Sequence, residues 1–180
     1  MLVEGDDDER FFQQIVKPRF DKAYDSVQTW KYSQEKRERV NALLKSVLAM
    51  GADYIFASDL NSSPCVSEVK RKLSDKYFAL SEELSDKYFA LSEDRVFVVM
   101  AEIESWYLAG LNDKACGRMR IPALADTSSL TKEQFNSRIP RAFDSRIDFM
   151  LEALKRYDVS TARGKNRSFG YLLEKYKIND

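Results

Sequence analysis

The stretch Arg95-Val96-Phe97-Val98-Val99-Met100-Ala101-Glu102-Ile103-Glu104-Ser105-Trp106-Tyr107 decides the fold. Past its arginine, Arg95 to Met100 is apolar and β-branched with no polar alternation, the composition of a strand covered on both faces in a parallel sheet. Two carboxylates, Glu102 and Glu104, stand just beyond that strand, ahead of an apolar helical turn reaching Leu111. The same arrangement occurs upstream. Tyr54-Ile55-Phe56-Ala57-Ser58-Asp59-Leu60-Asn61 is a short apolar run that ends in an acid, with a second oxygen ligand two residues later. Met1-Leu2-Val3-Glu4-Gly5 sets a lone carboxylate after an apolar segment, ahead of Asp6, Asp7, Asp8 and Glu9.

Helical periods separate these runs. Phe11, Phe12, Ile15 and Val16 share one side of a helix that begins in the acidic run, where carboxylates favour the helix dipole, and that Pro18 disturbs. Val40, Leu43, Leu44, Val47 and Leu48 follow the i, i+3, i+4, i+7, i+8 pattern, with Gly51 as a stop. Tyr54 to Ala57 is expected as strand. Strand, helix, strand, helix, strand predicts α/β, a mostly parallel sheet flanked by helices. Further helix is expected over residues 131–157, with Ile147, Met150, Leu151 and Leu154 as its apolar face and Pro140 dividing it. Residues 160–168 read as a loop, with Ser168 capping a last helix that carries Phe169, Leu172, Leu173 and Tyr176.

Leu73 to Glu82 returns unchanged as Leu84 to Glu93, an almost perfect tandem repeat with a period of eleven residues. Eleven residues is close to three helical turns, so the duplication keeps its apolar stripe in register. A long or broken helical insertion is expected at about residues 64–93. It serves as a dimerisation or partner helix, or is a duplication with no role of its own.

Composition narrows the chemistry. The 180 residues, 44% of them apolar, suffice for one core. The chain has no histidine, which removes Ser-His-Asp and Cys-His nucleophile activation, imidazole bases and nearly every zinc hydrolase. Hydrolysis would have to run on carboxylates, metal, lysine and arginine. Cys65 and Cys116 have no CxxC partner and are expected to stay reduced. With no apolar run of membrane-span length and no signal-peptide pattern, a cytoplasmic location is expected. Net charge is zero, yet residues 1–113 hold 21 acids against 15 bases and residues 114–180 hold 8 against 14. Mg²⁺ prefers carboxylates and phosphate prefers lysine and arginine, so this polarity suits a phosphodiester ligand, although solvated helix faces give such patterns too. Lys70 and Lys72 on the helix after Asp59, and Arg163, Lys165 and Arg167 in the tail, are the candidate phosphate contacts. No P-loop and no Rossmann glycine fingerprint is present, so any ATP would come from a separate ATPase.

Taken in order, Val-Glu-Gly with Asp8 close behind, a strand ending Asp-x-Asn and Glu-Ser-Trp-Tyr-Leu-Ala after a later strand resemble the TOPRIM fold. That metal-binding domain is shared by topoisomerases, primases and OLD-type nucleases. The likeness extends to small stand-alone TOPRIM-like bacterial proteins, including those of phage-defence neighbourhoods. It covers roughly residues 1–111 as a metal-binding core, leaving 112–180 as a helical, basic C-terminal part packed on it. The resemblance implies a nuclease using Mg²⁺ or Mn²⁺ on DNA or RNA. It assigns Glu4 as metal ligand or general acid/base, Asp59 as metal ligand and catalytic residue, and Asp8 and Glu104 as completing the acidic ring, with Glu102 a weaker candidate. Asn61 departs from the family's second aspartate, since an amide oxygen ligates Mg²⁺ without bringing charge. Only Met1 to Val3 precede Glu4, fewer than the usual ~5–6 strand residues, which suggests a start further upstream. A different class stays open: a non-catalytic module binding nucleic acid or a partner ATPase, with homodimerisation possible in either case.

Overall fold

The apolar runs form strands, and a fourth strand joins them. In a computed structural model of the chain, which describes residues 1–61, 63–77 and 93–178, β1 (Leu2–Val3), β2 (Trp30–Lys31), β3 (Phe56–Asp59) and β4 (Val96–Val99) make one sheet. Its order is β2-β1-β3-β4 and every pairing is parallel. The protein is α/β.

Two of these strands differ from expectation. Strand β2 has no apolar run of its own; it exists because β1 offers it a backbone edge, with the Trp30 N–H donating to Met1 O at 2.9 Å and the Tyr32 N–H to Val3 O at 3.0 Å. Strand β3 lies two residues later than the apolar pattern suggests. Its ladder with β4 runs from Phe56–Val96 to Asp59–Val99, which makes Asp59 the last strand residue.

Successive strand side chains face opposite ways, and the sheet therefore feeds two cores. Val3, Ala57, Phe97 and Val99 join the larger one with Phe11, Trp106, Phe149 and Phe169. Leu2, Phe56, Val96 and Val98 join the smaller with Val40, Leu44, Val69 and Tyr77. The larger core is covered by α1 (Asp6–Phe11), a π turn (Phe12–Val16) and α2 (Lys17–Phe20), then by α5 (Glu104–Ala109) and the later helices. The smaller is covered by α3 (Arg37–Ala49) and α4 (Val66–Tyr77). Pro18 explains the π turn. Proline has no N–H and its ring crowds the carbonyl four residues back, and widening the preceding turn lets the helix continue with Phe11, Phe12, Ile15, Val16 and Phe20 all buried.

The C-terminal part comprises α6 (Asp113–Met119), α7 (Lys132–Asn136), α8 (Arg146–Lys155), α9 (Val159–Lys165) and α10 (Arg167–Lys175). Three expectations need correction here. The apolar face of α8 is Phe149, Met150, Ala153 and Leu154, whereas Ile147 is 49% exposed. The expected loop at 160–168 is mostly helix α9, because Asp158 caps it by accepting the Thr161 N–H at 2.6 Å. Asn166, not Ser168, caps α10; Ser168 is buried and accepts the Trp106 Nε1–H at 2.8 Å while donating to Asn166 Oδ1 at 2.9 Å. That network fastens α5 to the α9–α10 junction. Of the tandem repeat, Leu73 to Tyr77 form the end of α4 and the remainder to Ser92 lies outside the described residues. No helix among the described residues is long and apolar enough to cross a membrane.

Candidate functional site

Sheet register brings the predicted acids together. Leu2 pairs with Phe56, so Glu4 comes level with Ser58 at the carboxyl edge. Its Oε2 accepts the Ser58 hydroxyl at 3.2 Å and the Asp59 N–H at 3.3 Å. Asp59 Oδ2 accepts the Ile103 N–H at 3.3 Å, tying the end of β3 to the turn before α5. Asp8, in the first turn of α1, reaches back to accept the Gly5 N–H on Oδ2 at 3.1 Å. Glu104 opens α5 and is buried. All four line one cleft of about 470 Å³, together with Asn61, Glu102, Lys132 and Arg146. The cleft lies where the chain reverses direction across the sheet, between β1 and β3, the crevice in which open parallel sheets gather ligands. Two loop residues there are left-handed without being glycine: Asn61 at φ 48° and Ala101 at φ 61°, the Asn61 N–H donating to Ala101 O at 3.3 Å.

The acids repel one another in a poorly solvated place. Burial first, then Glu4 and Glu104, push the Asp8 carboxyl up to about 7. Burial, then Asp8, Glu4 and Glu104, raise Asp59 well above the usual carboxylate range. Burial also raises Glu104, against the pull of Arg146 and Lys132. Asp8 is only 5% exposed, and its Oδ1, like Asp59 Oδ1, is buried with no hydrogen-bond donor.

Arg146, like Lys132, is a cation at the site that sequence reading missed. Its Nη1 bonds Asp7 Oδ2 and its Nη2 bonds Glu104 Oε1, each at 2.5 Å, while Nε donates to Asn136 Oδ1 at 3.1 Å. The guanidinium carbon stands 5.6 Å from the centre of the Phe135 ring. Burial alone would raise Asp7, but hydrogen bonds from Arg146 and Arg10 hold it below the usual range. Lys132 adds a second cation, its Nζ 3.9 Å from Glu104 Oε1 and its backbone N–H bonded to Glu102. The only local signal for Arg146 was the Ser145 cap that starts its helix; its partner Glu104 is 42 residues away.

The donor set suits a hard divalent cation: all oxygen, mostly carboxylate, with two buried oxygens lacking a donor. As the side chains stand, no three His, Cys, Asp or Glu groups among the described residues close round a single ion. One oxygen each of Glu4, Asp8, Asp59 and Glu104 is turned to a protein donor.

The structure does not bring the five predicted phosphate contacts to this cleft. Lys72 bonds Ser63 at 3.3 Å, Arg163 faces Glu174 at 3.4 Å, and Lys165 donates to Leu111 O at 2.8 Å. Lys70 and Arg167 meet instead in a groove along β4. A larger cavity of about 750 Å³ opens at the amino ends of the strands around Tyr24, Tyr54 and Tyr176, away from all of the predicted site residues. The convergent acids favour the smaller cleft as the chemical site.

The chain matches no protein-family model, no curated protein and no solved structure. Its function is therefore read from the cleft itself.

Proposed function

We propose that the chain is a TOPRIM-type, divalent-metal-dependent nuclease that hydrolyses nucleic-acid phosphodiesters. One observation carries the reading: Asp8 Oδ1 and Asp59 Oδ1 are buried acceptors without donors, in a cleft they share with Glu4 and Glu104. Placing unpaired acceptors of like charge together costs free energy unless a cation joins them. Glu4, Asp8, Asp59 and Glu104 would hold Mg²⁺ or Mn²⁺, with Asn61 as a neutral oxygen donor. A bound metal of this kind supplies charge neutralisation for a phosphodiester and a more acidic water. Glu4, which also touches Ser58 and the Asp59 amide, is the carboxylate assigned to accept or return the proton. Arg146 and Lys132 fix Glu104 from the rim and carry positive charge where a phosphate would arrive.

A second reading has its own support. Asn61 in place of an acid lowers the charge available to a metal, and favours a module that binds nucleic acid or a partner ATPase without cutting. Incubating labelled single- and double-stranded DNA and RNA with Mg²⁺, Mn²⁺ or EDTA separates the two. Metal-dependent cutting that is lost in both Glu4→Gln and Asp59→Asn is the expected result; no cutting, or cutting that both variants retain, rejects the catalytic reading.

A further inference from the structure

We propose that Tyr32 is a positioning residue for Glu4, acting through the Ser58 hydroxyl. That role rests on the nuclease reading, in which Glu4 is a working carboxylate of the cleft. Sheet register makes the row. Leu2 pairs with Trp30 on one side and Phe56 on the other, and Val3 pairs with Lys31. Carrying both ladders forward to Glu4 places Tyr32 and Ser58 level with it on the two flanking strands, and the Tyr32 N–H still donates to Val3 O at 3.0 Å. Residues two apart on a strand share a face, so the row Tyr32, Glu4, Ser58 lies on the side of Trp30, Leu2 and Phe56, toward the smaller core.

Tyr32 is buried in that core, its ring centroid 4.2 Å from that of Phe56 and 5.6 Å from that of Tyr77. A phenylalanine would fill the same space, yet the chain buries a hydroxyl there that has no hydrogen-bond partner among the described residues. A polar atom buried in that state costs stability, and packing does not require it. The groups that act on the hydroxyl point to its use. Burial, then the Glu4 charge, hold the phenol above its usual range; the Ser58 hydroxyl opposes them, and Asp8 and Tyr77 add smaller pushes. The phenol therefore stays protonated, a donor beside Ser58 and Glu4.

Ser58 is the acceptor within the row. Its single proton has two destinations, Glu4 Oε2 at 3.2 Å and Asp59 O at 3.4 Å, while its oxygen keeps lone pairs with which to accept. A bond from Tyr32 stops the hydroxyl from turning and, with the Glu4 charge, commits its proton to Oε2. Both hydrogen bonds that Glu4 accepts among the described residues, from Ser58 and from the Asp59 N–H, fall on Oε2. Holding Oε2 against the protein leaves Oε1 for the ion or the proton. Hydrogen bonds around a reacting group are often long in the free protein and tighten in the complex, and groups that orient a ligand from behind set its affinity for metal.

The test is Mn²⁺ titration of the full chain by isothermal calorimetry, alongside melting in EDTA and cutting of labelled DNA and RNA. Tyr32→Phe removes the hydroxyl and keeps the ring. It is expected to melt no lower than wild type, to bind Mn²⁺ roughly fivefold more weakly and to lower kcat with little change in KM. Ser58→Ala is expected to weaken Mn²⁺ by about tenfold and Ser58→Thr, which keeps a hydroxyl, to restore it. The double variant Tyr32→Phe with Ser58→Ala is expected to be no worse than Ser58→Ala alone, because the two act in series. Tyr157→Phe removes another buried hydroxyl without a partner among the described residues, outside the cleft, and is expected to leave Mn²⁺ affinity unchanged. Unchanged Mn²⁺ affinity and kcat in Tyr32→Phe overturn the proposal, as do losses that add in the double variant. A Tyr32→Phe that melts well below wild type and binds Mn²⁺ normally also overturns it, since the hydroxyl would then be a packing contact. Wild type that cuts nothing while the Mn²⁺ series behaves as expected sinks only the nuclease reading, and cutting that Tyr32→Phe retains in full sinks only the positioning role. No Mn²⁺ binding by wild type removes both.

Discussion

Asp8 concentrates the electrostatic cost of the cleft in one side chain. Its folded pKa of about 7 is above the ordinary value of 3.8. The stability tied to its protonated form is therefore complete below pH ~3.8 and is lost as pH rises through about 7. Asp8→Asn keeps an acceptor for the Gly5 N–H and removes the charge, so in EDTA it is expected to stabilise the protein at pH 8 by on the order of 2–4 kcal/mol and to change little at pH 4. Denaturant unfolding at both pH values checks this, and an equal gain at both would mean that charge is not the cause. Arg146 is the counterpart on the rim. Arg146→Met leaves buried Glu104 without its main partner and is expected to cost about 1–3 kcal/mol in EDTA, discounted because the arginine is itself partly exposed. Glu4, Asp59 and Glu104 could be read in the sequence because each stands at or just past the end of an apolar run, a local pattern, whereas Asp8 was singled out of its acidic run only by the family resemblance. Arg146 could not, since what marks it is a contact with residues 42 and 139 positions away, and nothing in the helix period of α8 singles it out.

Elements could be read where their own side chains impose them, and could not where a neighbour does. Helix α3 follows from its apolar period and strand β4 from an unbroken apolar run. Strand β2 follows from the free edge of β1, and α9 from a cap that competes with a basic, glycine-containing stretch. The end of α5 shows the same dependence on tertiary contact. A Cβ added at Gly110 would lie 2.4 Å from the Tyr157 ring, which is wedged against Phe11 and Phe169 at centroid distances of 5.3 and 5.9 Å. Gly117, inside α6, has nothing within 4 Å of the same added atom. One substitution should thus act in opposite directions. Gly110→Ala is expected to destabilise by about 1–3 kcal/mol through overpacking, and Gly117→Ala to stabilise by up to about 1 kcal/mol through helix propensity. Melting temperatures of the two variants decide it, and a shared sign would show that backbone propensity dominates at both places.

At the scale of the whole molecule, the two halves of the chain meet at the cleft. Glu4 directly follows β1, Asp8 and Asp59 come from α1 and β3, and Lys132 and Arg146 come from the C-terminal helices and engage Glu104 between them. Among the described residues lining the cleft, Arg10 pairs with Asp7 while Lys132 and Arg146 reach Glu104, and none of the three is the partner of Asp8 Oδ1 or Asp59 Oδ1. A metal that joins those oxygens would bind the folded chain and not the unfolded one, and so would raise its stability by mass action, by about 2.7 kcal/mol at a hundredfold excess over Kd. For a chain of this length that is a rise of about 5–10 °C in melting temperature. Since the acids ionise as pH rises through their elevated folded pKa values, the rise with Mn²⁺ or Mg²⁺ is expected to be larger at pH 8 than at pH 5. Asp59→Asn, which can still accept the Ile103 N–H, should fold and lose most of that increment, while Lys70→Ala, outside the cleft, should keep it. A metal-induced shift of equal size in all three proteins would place the ion elsewhere and remove the cleft's claim to it.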